Sequence, residues 1–373
     1  MTSTIEGTPV LTGPGTPGGI LDLVRSGRSR SRADLARSTG LSPSTVSQRV
    51  DALIAAGYLR EAGAGVSHGG RRPRALEVDA STGVVCAADL GSHHATFGLI
   101  DLSGRVLASR TEPMDIATGP AAVLGWIAEV AAELTKAHAQ SGQTLRGFGI
   151  GLPGPVDSTT GRMVSPSRMP GWNGVDVAAE LTAITGLPAA ADNDANLMAL
   201  GEYDTLGADV GELVFVKAGS ISHVTVPGAP AVLCSCGRIG CLDAVAGGAA
   251  IVQALRSSGF DISDTREVLA LARDAHPRAT QELREAGLRT GAVLATIMNF
   301  FNPQRLVLGG ILGEAEAFVA GVRSAIYSDC LPMITDQLDI AVSVAKEQAG
   351  IRGAGRLILD SVFDPSRVDL VVR

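Results

Sequence analysis

Aromatic residues are scarce in this 373-residue chain: eight Phe, two Trp and three Tyr, or 3%. A surface built mainly on base stacking is therefore not expected. No uninterrupted apolar run reaches the ~18 residues a spanning helix needs, and Met1–Val10 has no basic start leading into an apolar stretch. Both absences speak against membrane insertion or secretion. Cysteine is sparse as well. Five are present, three of them crowded at Cys234, Cys236 and Cys241, a usage that suits a reducing cytoplasm better than a disulfide scaffold. Charged residues are only 18% of the chain, but apolar residues are 45%, which excludes wholesale disorder. At ~150 residues per domain the length accommodates two to three domains with real cores.

The overall charge of −7 conceals an asymmetry. Residues 1–80 hold ten arginines against seven acids, a net of +3, and all ten arginines fall between Arg25 and Arg74. The remaining 21 basic and 31 acidic residues give residues 81–373 a net of −10. A basic head on an acidic body fits a polyanion-binding module joined to something that is not one.

Residues 1–18, rich in Thr, Gly and Pro, read as a flexible lead-in. Three short helical patterns follow. The first spans about Gly19–Arg25, with Ile20, Leu21 and Val24 on one face. The second opens on Ser31 with Asp34 three residues on, a capping box, and ends at Gly40. The third opens on Ser42-Pro43, carries Val46, Val50, Leu53 and Ile54 as one stripe, and stops before Gly57. Tyr58–Arg60 and Ala75–Val78 then read as strands around a Gly/Arg loop. Together these make a winged helix-turn-helix over residues 19–80. Its third helix exposes Ser44, Thr45, Ser47, Gln48 and Arg49 to base edges and phosphates, and its wing offers Arg71, Arg72 and Arg74 to phosphates or a minor groove. The bland alternative is a helical hairpin with a solvated charged loop. Spacing, caps, wing and charge together favour binding to double-stranded DNA.

Beyond residue 80 strands alternate with helices, the mark of an α/β body. The strand candidates are 84–89, 95–101, 148–152, 213–216, 224–226 and 306–308; the helix candidates are 121–139, 195–206, 251–256 and 282–300. Within this body, Cys234-Ser-Cys236-Gly-Arg-Ile-Gly-Cys241 gathers three thiols in one loop, with His223 just upstream. Cys₃His is a standard closed set for structural Zn²⁺, with no position left for a catalytic water. Buried, unligated cysteines are the alternative, but such cysteines rarely come with glycines between them.

From about residue 19 to the C-terminus the chain resembles the transcriptional regulators of the ROK family (repressors, open reading frames, kinases). The most specific likeness is His223-Val-Thr-Val-Pro-Gly-Ala-Pro followed by the cysteine loop and Asp243. Gly151-Leu-Pro-Gly-Pro-Val-Asp157, Pro170-Gly-Trp-Asn-Gly-Val-Asp176, Asp192-Asn193-Asp194-Ala195-Asn196 and Asn302-Pro-Gln-Arg-Leu-Val-Leu-Gly-Gly310 also match. The resemblance implies a two-lobed actin-like (ribonuclease H-like) sugar-kinase-type body behind the winged head. The lobes would be 81–190 plus about 350–373, and 191–349 with the zinc site. It further implies that Asn193 and Asp194 bind sugar hydroxyls. In kinase relatives the residue matching Asp194 is the general base. His223 would place one ring nitrogen on zinc and the other toward the sugar. Asp194 as a simple helix cap is the structural alternative, and the two roles are compatible.

Two departures separate the chain from a working kinase. The first phosphate turn survives only as Asp89-Leu-Gly91-Ser-His-His94, where family kinases carry a second glycine, a threonine and a lysine. After Val216-Lys-Ala-Gly-Ser220, relatives continue through a glycine-rich turn, a hairpin and an acidic sugar ligand; here Ser220 runs straight into Ile221. Two origins fit: a true deletion, which would weaken or abolish sugar binding, or a loop skipped by the continuous numbering. Intact mass separates them, at 38.1 kDa for the chain as numbered. The expectation is a cytoplasmic, non-enzymatic, sugar-responsive regulator whose kinase activity these losses remove, acting as a repressor in a homodimer or homotetramer. The alternatives are an ATP-dependent sugar kinase and a DNA-binding protein with a dead pocket.

Overall fold

The computed structural model describes residues 13–64, 74–140, 142–166, 169–207, 211–217 and 221–372. Three helices open the head: α1 (Pro17–Arg25), α2 (Arg32–Thr39) and α3 (Pro43–Ala55). The sequence places the start of α1 at Gly19, two residues late. Thr16 is its N-cap, accepting from the Gly19 N–H, and Pro17 presets the first turn. Thus the start signal lies inside the expected lead-in. The other caps are as expected: Ser31 accepts from the Asp34 N–H, Ser42 from the Thr45 N–H, and Gly40 ends α2 with φ +71°. Strands β1 (Leu59–Ala64) and β2 (Arg74–Val78) pair antiparallel as the base of the wing. Ile20, Leu21, Leu35, Val46, Val50 and Leu53 pack inside, while Ile54 stays half-buried.

The first body sheet has the order β5-β4-β3-β6-β7. Strands β3 (Gly83–Leu90), β4 (His94–Asp101) and β5 (Val106–Pro113) form an antiparallel meander. After α4 (Pro120–His138), β6 (Thr144–Leu152) joins parallel to β3; after α5 (Val177–Thr185), β7 (Ala189–Asn193) joins parallel to β6. Strand β3 is covered on both faces, which explains its nearly unbroken apolar run. Cys86 and Ala88 pack with Leu124, Ile127 and Trp172, whereas Val85 and Ala87 face the opposite core.

The second sheet follows α6 (Asp194–Leu206). Its described strands are all parallel, in the order β10-β9-β8: β8 (Leu213–Lys217), β9 (Arg305–Gly309) and β10 (Asp339–Val342). Between β8 and β9 run α7 (Leu242–Ala246), α8 (Gly248–Ser257), α9 (Thr265–Arg273) and α10 (Pro277–Phe301). Between β9 and β10 run α11 (Gly310–Gly313), α12 (Glu316–Asp329) and α13 (Pro332–Thr335). In the first sheet a hairpin, β4-β5, flanks the leading strand β3. Among the described residues β8 has no such hairpin beside it, at the place where the sequence lacks one. Finally α14 (Ala349–Val362) returns to pack against the first sheet, and α15 (Pro365–Val371) follows.

The expected strand 224–226 is not one; its only ladder contact among the described residues is a single bridge from Thr225 to Cys241. Strands β5, β7 and β10 had no clear sequence signal: β5 is a half-exposed edge with polar residues, β7 is mostly alanine, and β10 has four residues. Among the described residues no helix is long and apolar enough to cross a membrane.

Candidate effector pocket, metal-binding loop and DNA-binding head

The ends of β3, β6, β7 and β8 bring the pocket residues together, as strand carboxyl ends do in open α/β sheets. Asn193 is the N-cap of α6: its Oδ1 accepts from the Ala195 N–H at 3.0 Å, and its Nδ2 donates to the carbonyls of Gly154 at 2.9 Å and Leu152 at 3.4 Å. The capping role considered for Asp194 therefore belongs to its neighbour. Asp194 is the first helical residue, buried at 7% exposure, and its Oδ2 accepts from Lys217 Nζ at 2.5 Å. Asp89 closes the group. Its Oδ1 is shut from solvent without a hydrogen-bond partner among the described residues, and its pKa is pushed up to about 7 by burial, with Lys217 opposing and Asp194 adding to the rise. Burial works to lower the Lys217 pKa, but the Asp194 and Asp89 carboxylates together hold it above the ordinary lysine value.

The turn between β3 and β4, over Gly91–His94, is a tight reverse turn. The Gly91 N–H donates to the His94 carbonyl at 2.8 Å, so that donor is already used. The His94 imidazole crowds Gly91, and burial, then Lys217 and Arg266, lowers its pKa. Lys217 belongs to no motif that marks it in the sequence. A signal did exist, since it is one of only three lysines, with Lys136 and Lys346, in an otherwise arginine-using chain.

The cysteine loop is assembled as its spacing suggests. One ligand atom from each of His223, Cys234, Cys236 and Cys241 lies within 4.8 Å of all the others. Cys234 Sγ stands 3.5 Å from His223 Nδ1, and Cys236 Sγ 3.6 Å from Cys241 Sγ. With metal–sulfur bonds of ~2.3 Å, such separations suit four ligands around one ion. The donor set and its spacing fit a metal. Backbone and side-chain hydrogen bonds from Arg238 pull the Cys236 thiol down to about 6, which supplies a ready thiolate. Cys241 is pushed up to about 11 by burial.

On the head, Ser44 and Gln48 are exposed, and Thr45, Ser47 and Arg49 are half-buried along α3. Ser42 Oγ lies 2.9 Å from Ser44 Oγ and 2.8 Å from Thr45 Oγ1, binding these hydroxyls into the cap. Arg32 braces the helix from behind, donating to the Ser47 carbonyl and to Asp51 and Glu61. Arg74 donates to Glu61 at 2.7 Å, so it is already ion-paired at the wing base. Arg71 and Arg72 lie outside the described residues. Arg49 makes no ion pair among the described residues.

Pocket and head are joined by two packed helices. An added Cβ on Gly201 of α6 would lie 2.0 Å from the Ala349 carbonyl, and one on Gly353 of α14 would lie 1.8 Å from the Leu197 carbonyl; only glycine permits this approach. At one end of α14, Gly350 sits against Asp89. At the other, Arg356 donates to Asp204 and Asp360 at 2.9 Å, and Asp360 pairs with Arg25 of the head. The Arg25 guanidinium lies 5.1 Å over the Phe363 ring, which meets Tyr58 edge-on. Beyond it the Gly18 N–H donates to Asp369 of α15 at 2.7 Å.

A winged helix-turn-helix clamped to a body of the actin-like sugar-kinase fold defines the class. The winged helix-turn-helix DNA-binding family model matches residues 17–60, and the ROK family model matches residues 85–220 and 215–361, its two parts overlapping at residues 215–220. The chain belongs to the ROK family. It is 25% identical over 359 residues to the xylose repressor of Bacillus subtilis, covering 90% of this chain and 92% of that one. It is 27% identical over 314 residues to the glucokinase of Thermotoga maritima, covering 74% and 96%. Among solved structures, a ROK family transcriptional regulator described as a homolog of the E. coli MLC protein shares the fold, with TM-score 0.76, 22% identity and coverage of 95% and 97%. The glucokinase match leaves out about the share of the chain that the head occupies, whereas both regulators align nearly end to end.

Proposed function

We propose that this protein is a cytoplasmic, sugar-responsive transcription repressor that binds operator DNA as a symmetric homo-oligomer and has no kinase activity. The observation that carries the reading is the α6–α14 pair, glycine-packed along its length, touching the pocket through Asp194 and Gly350 and the head through Arg25 and Phe363. A sugar held by Asn193, Asp194 and His223 would bias this pair, and so the placement of the head. Ser44, Thr45, Ser47, Gln48 and Arg49 read the major groove, while Arg71, Arg72 and Arg74 of the wing meet phosphates; Arg74 exchanges Glu61 for a phosphate oxygen to do so. One head contacts few base pairs, so two heads on a near-palindrome multiply the specificity.

Zn²⁺ is the metal we assign to His223 Nδ1 and the sulfurs of Cys234, Cys236 and Cys241, where it supplies a structural cross-link. The second imidazole nitrogen then faces the sugar. Loss of kinase activity is supported by the occupied Gly91 N–H and by Lys217, which holds Asp194, the carboxylate matched to the general base of kinase relatives.

The test is fluorescence anisotropy with full-length protein and duplex DNA selected from a random pool. Nanomolar binding at low salt, weakened by D-xylose or D-glucose, is expected. Binding indifferent to both sugars would remove the effector from the account, and absence of binding would remove the repressor.

A further inference from the structure

Lys217 has no part in the reading above beyond blocking a proton transfer, yet its ammonium is held against two carboxylates of the pocket. It ends β8, the strand that lacks a flanking hairpin among the described residues, and its ammonium sits at 2.5 Å from Asp194 Oδ2. Asp89, whose buried Oδ1 has no hydrogen-bond partner among the described residues, also faces it electrostatically. Two carboxylates sharing a desolvated site repel one another, and one ammonium between them offsets that repulsion. An unpaired buried charge is far costlier than a paired one, so the lysine stabilises the empty pocket.

We propose that Lys217 is a positioning residue that sets the sugar affinity of the pocket: its ammonium holds Asp194 when no ligand is present, and a pyranose hydroxyl must take its place. This inference rests on the sugar-binding role proposed for Asp194. A carboxylate oxygen is a strong acceptor for a hydroxyl donor, but Oδ2 already receives a charge-assisted bond. Binding thus exchanges one strong hydrogen bond for others, and the net affinity is lower than the pocket's polar groups alone would give. The same exchange releases Lys217 from Asp194 at the N-terminus of α6, the helix that is glycine-packed on α14. Displacement of the lysine is therefore the first movement a sugar imposes on the path to the head.

Calorimetric titration of D-xylose and D-glucose into the full-length chain, its Lys217→Met variant and its Lys217→Arg variant tests this. Lys217→Met is expected to bind at least one of the two sugars about tenfold or more tightly than the natural chain, with Lys217→Arg close to the natural chain. A second readout separates competition from scaffolding. Without sugar, Lys217→Met should melt lower than the natural chain, but saturating sugar should raise its Tm by more. A purely structural lysine would lower both melting temperatures and leave the ligand-induced shift unchanged, which would overturn the proposal. Equal or weaker sugar binding by a folded Lys217→Met would also overturn it while leaving the sugar reading intact. If Lys217→Met does not fold, Lys217→Gln, which keeps a donor for Asp194 without the charge, takes its place under the same criteria. No binding by any chain would overturn the sugar reading and this proposal together.

Discussion

At the scale of single residues, Asp89 gives the sharpest pH expectation. Its pKa in the folded chain is about 7 against an ordinary value of 3.8. The folded state then holds a proton that the unfolded state has lost, so stability falls as pH rises from about 4 to about 7 and levels off above. At ~1.4 kcal/mol per pKa unit the full effect is about 4 kcal/mol. Urea unfolding across that range should reveal the slope, and Asp89→Asn should flatten it; an unchanged slope would show that Asp89 is not the responsible group. The metal loop has its own test. Cys236→Ser removes one of four ligands, so elemental analysis should find less than one Zn²⁺ per chain and the melting temperature should drop, because metal binding and folding are coupled. On the head, Arg49→Ala should cost about 1–3 kcal/mol at a base contact, whereas Arg72→Ala should weaken all duplexes alike and reduce the salt slope by about 1. Unchanged DNA affinity in both variants contradicts the assignment of the head surface.

At the scale of elements, the joint between α14 and the head is the feature on which the proposed sugar response would depend. Phe363 is 2% exposed and fills the space between Tyr58 and Arg25. Phe363→Ala should therefore cost about 3–5 kcal/mol in chemical denaturation and reduce the effect of sugar on DNA binding. A variant that loses stability but keeps the full sugar response would place the coupling elsewhere. The same elements explain what the sequence could and could not convey. Caps and local periods are written within a few residues, so Ser31, Asp34, Gly40 and Ser42-Pro43 gave α2 and α3 directly. The cysteine loop was readable because its ligands lie close along the chain. By contrast, Lys217 meets Asp194 across 23 positions and Arg356 meets Asp204 across 152, separations that no local pattern encodes. Strand 224–226 was misread because Val-Thr-Val has strand propensity, while the loop around it supplies only one bridging partner.

At the scale of the whole molecule, the account is one of linked equilibria: a sugar can shift DNA binding only if it binds the DNA-competent and free states unequally. The α14 helix, about 21 Å long at 1.5 Å per residue, with Asp89 at one end and the head at the other, gives that inequality a physical route. Linkage also demands reciprocity, since whatever factor sugar imposes on operator affinity the operator must impose on sugar affinity. The most direct measurement is therefore calorimetric sugar titration of the full-length protein with and without saturating operator duplex. The account predicts weaker sugar binding on the operator, by the same factor that sugar weakens DNA binding. Identical sugar affinities in the two states would contradict it.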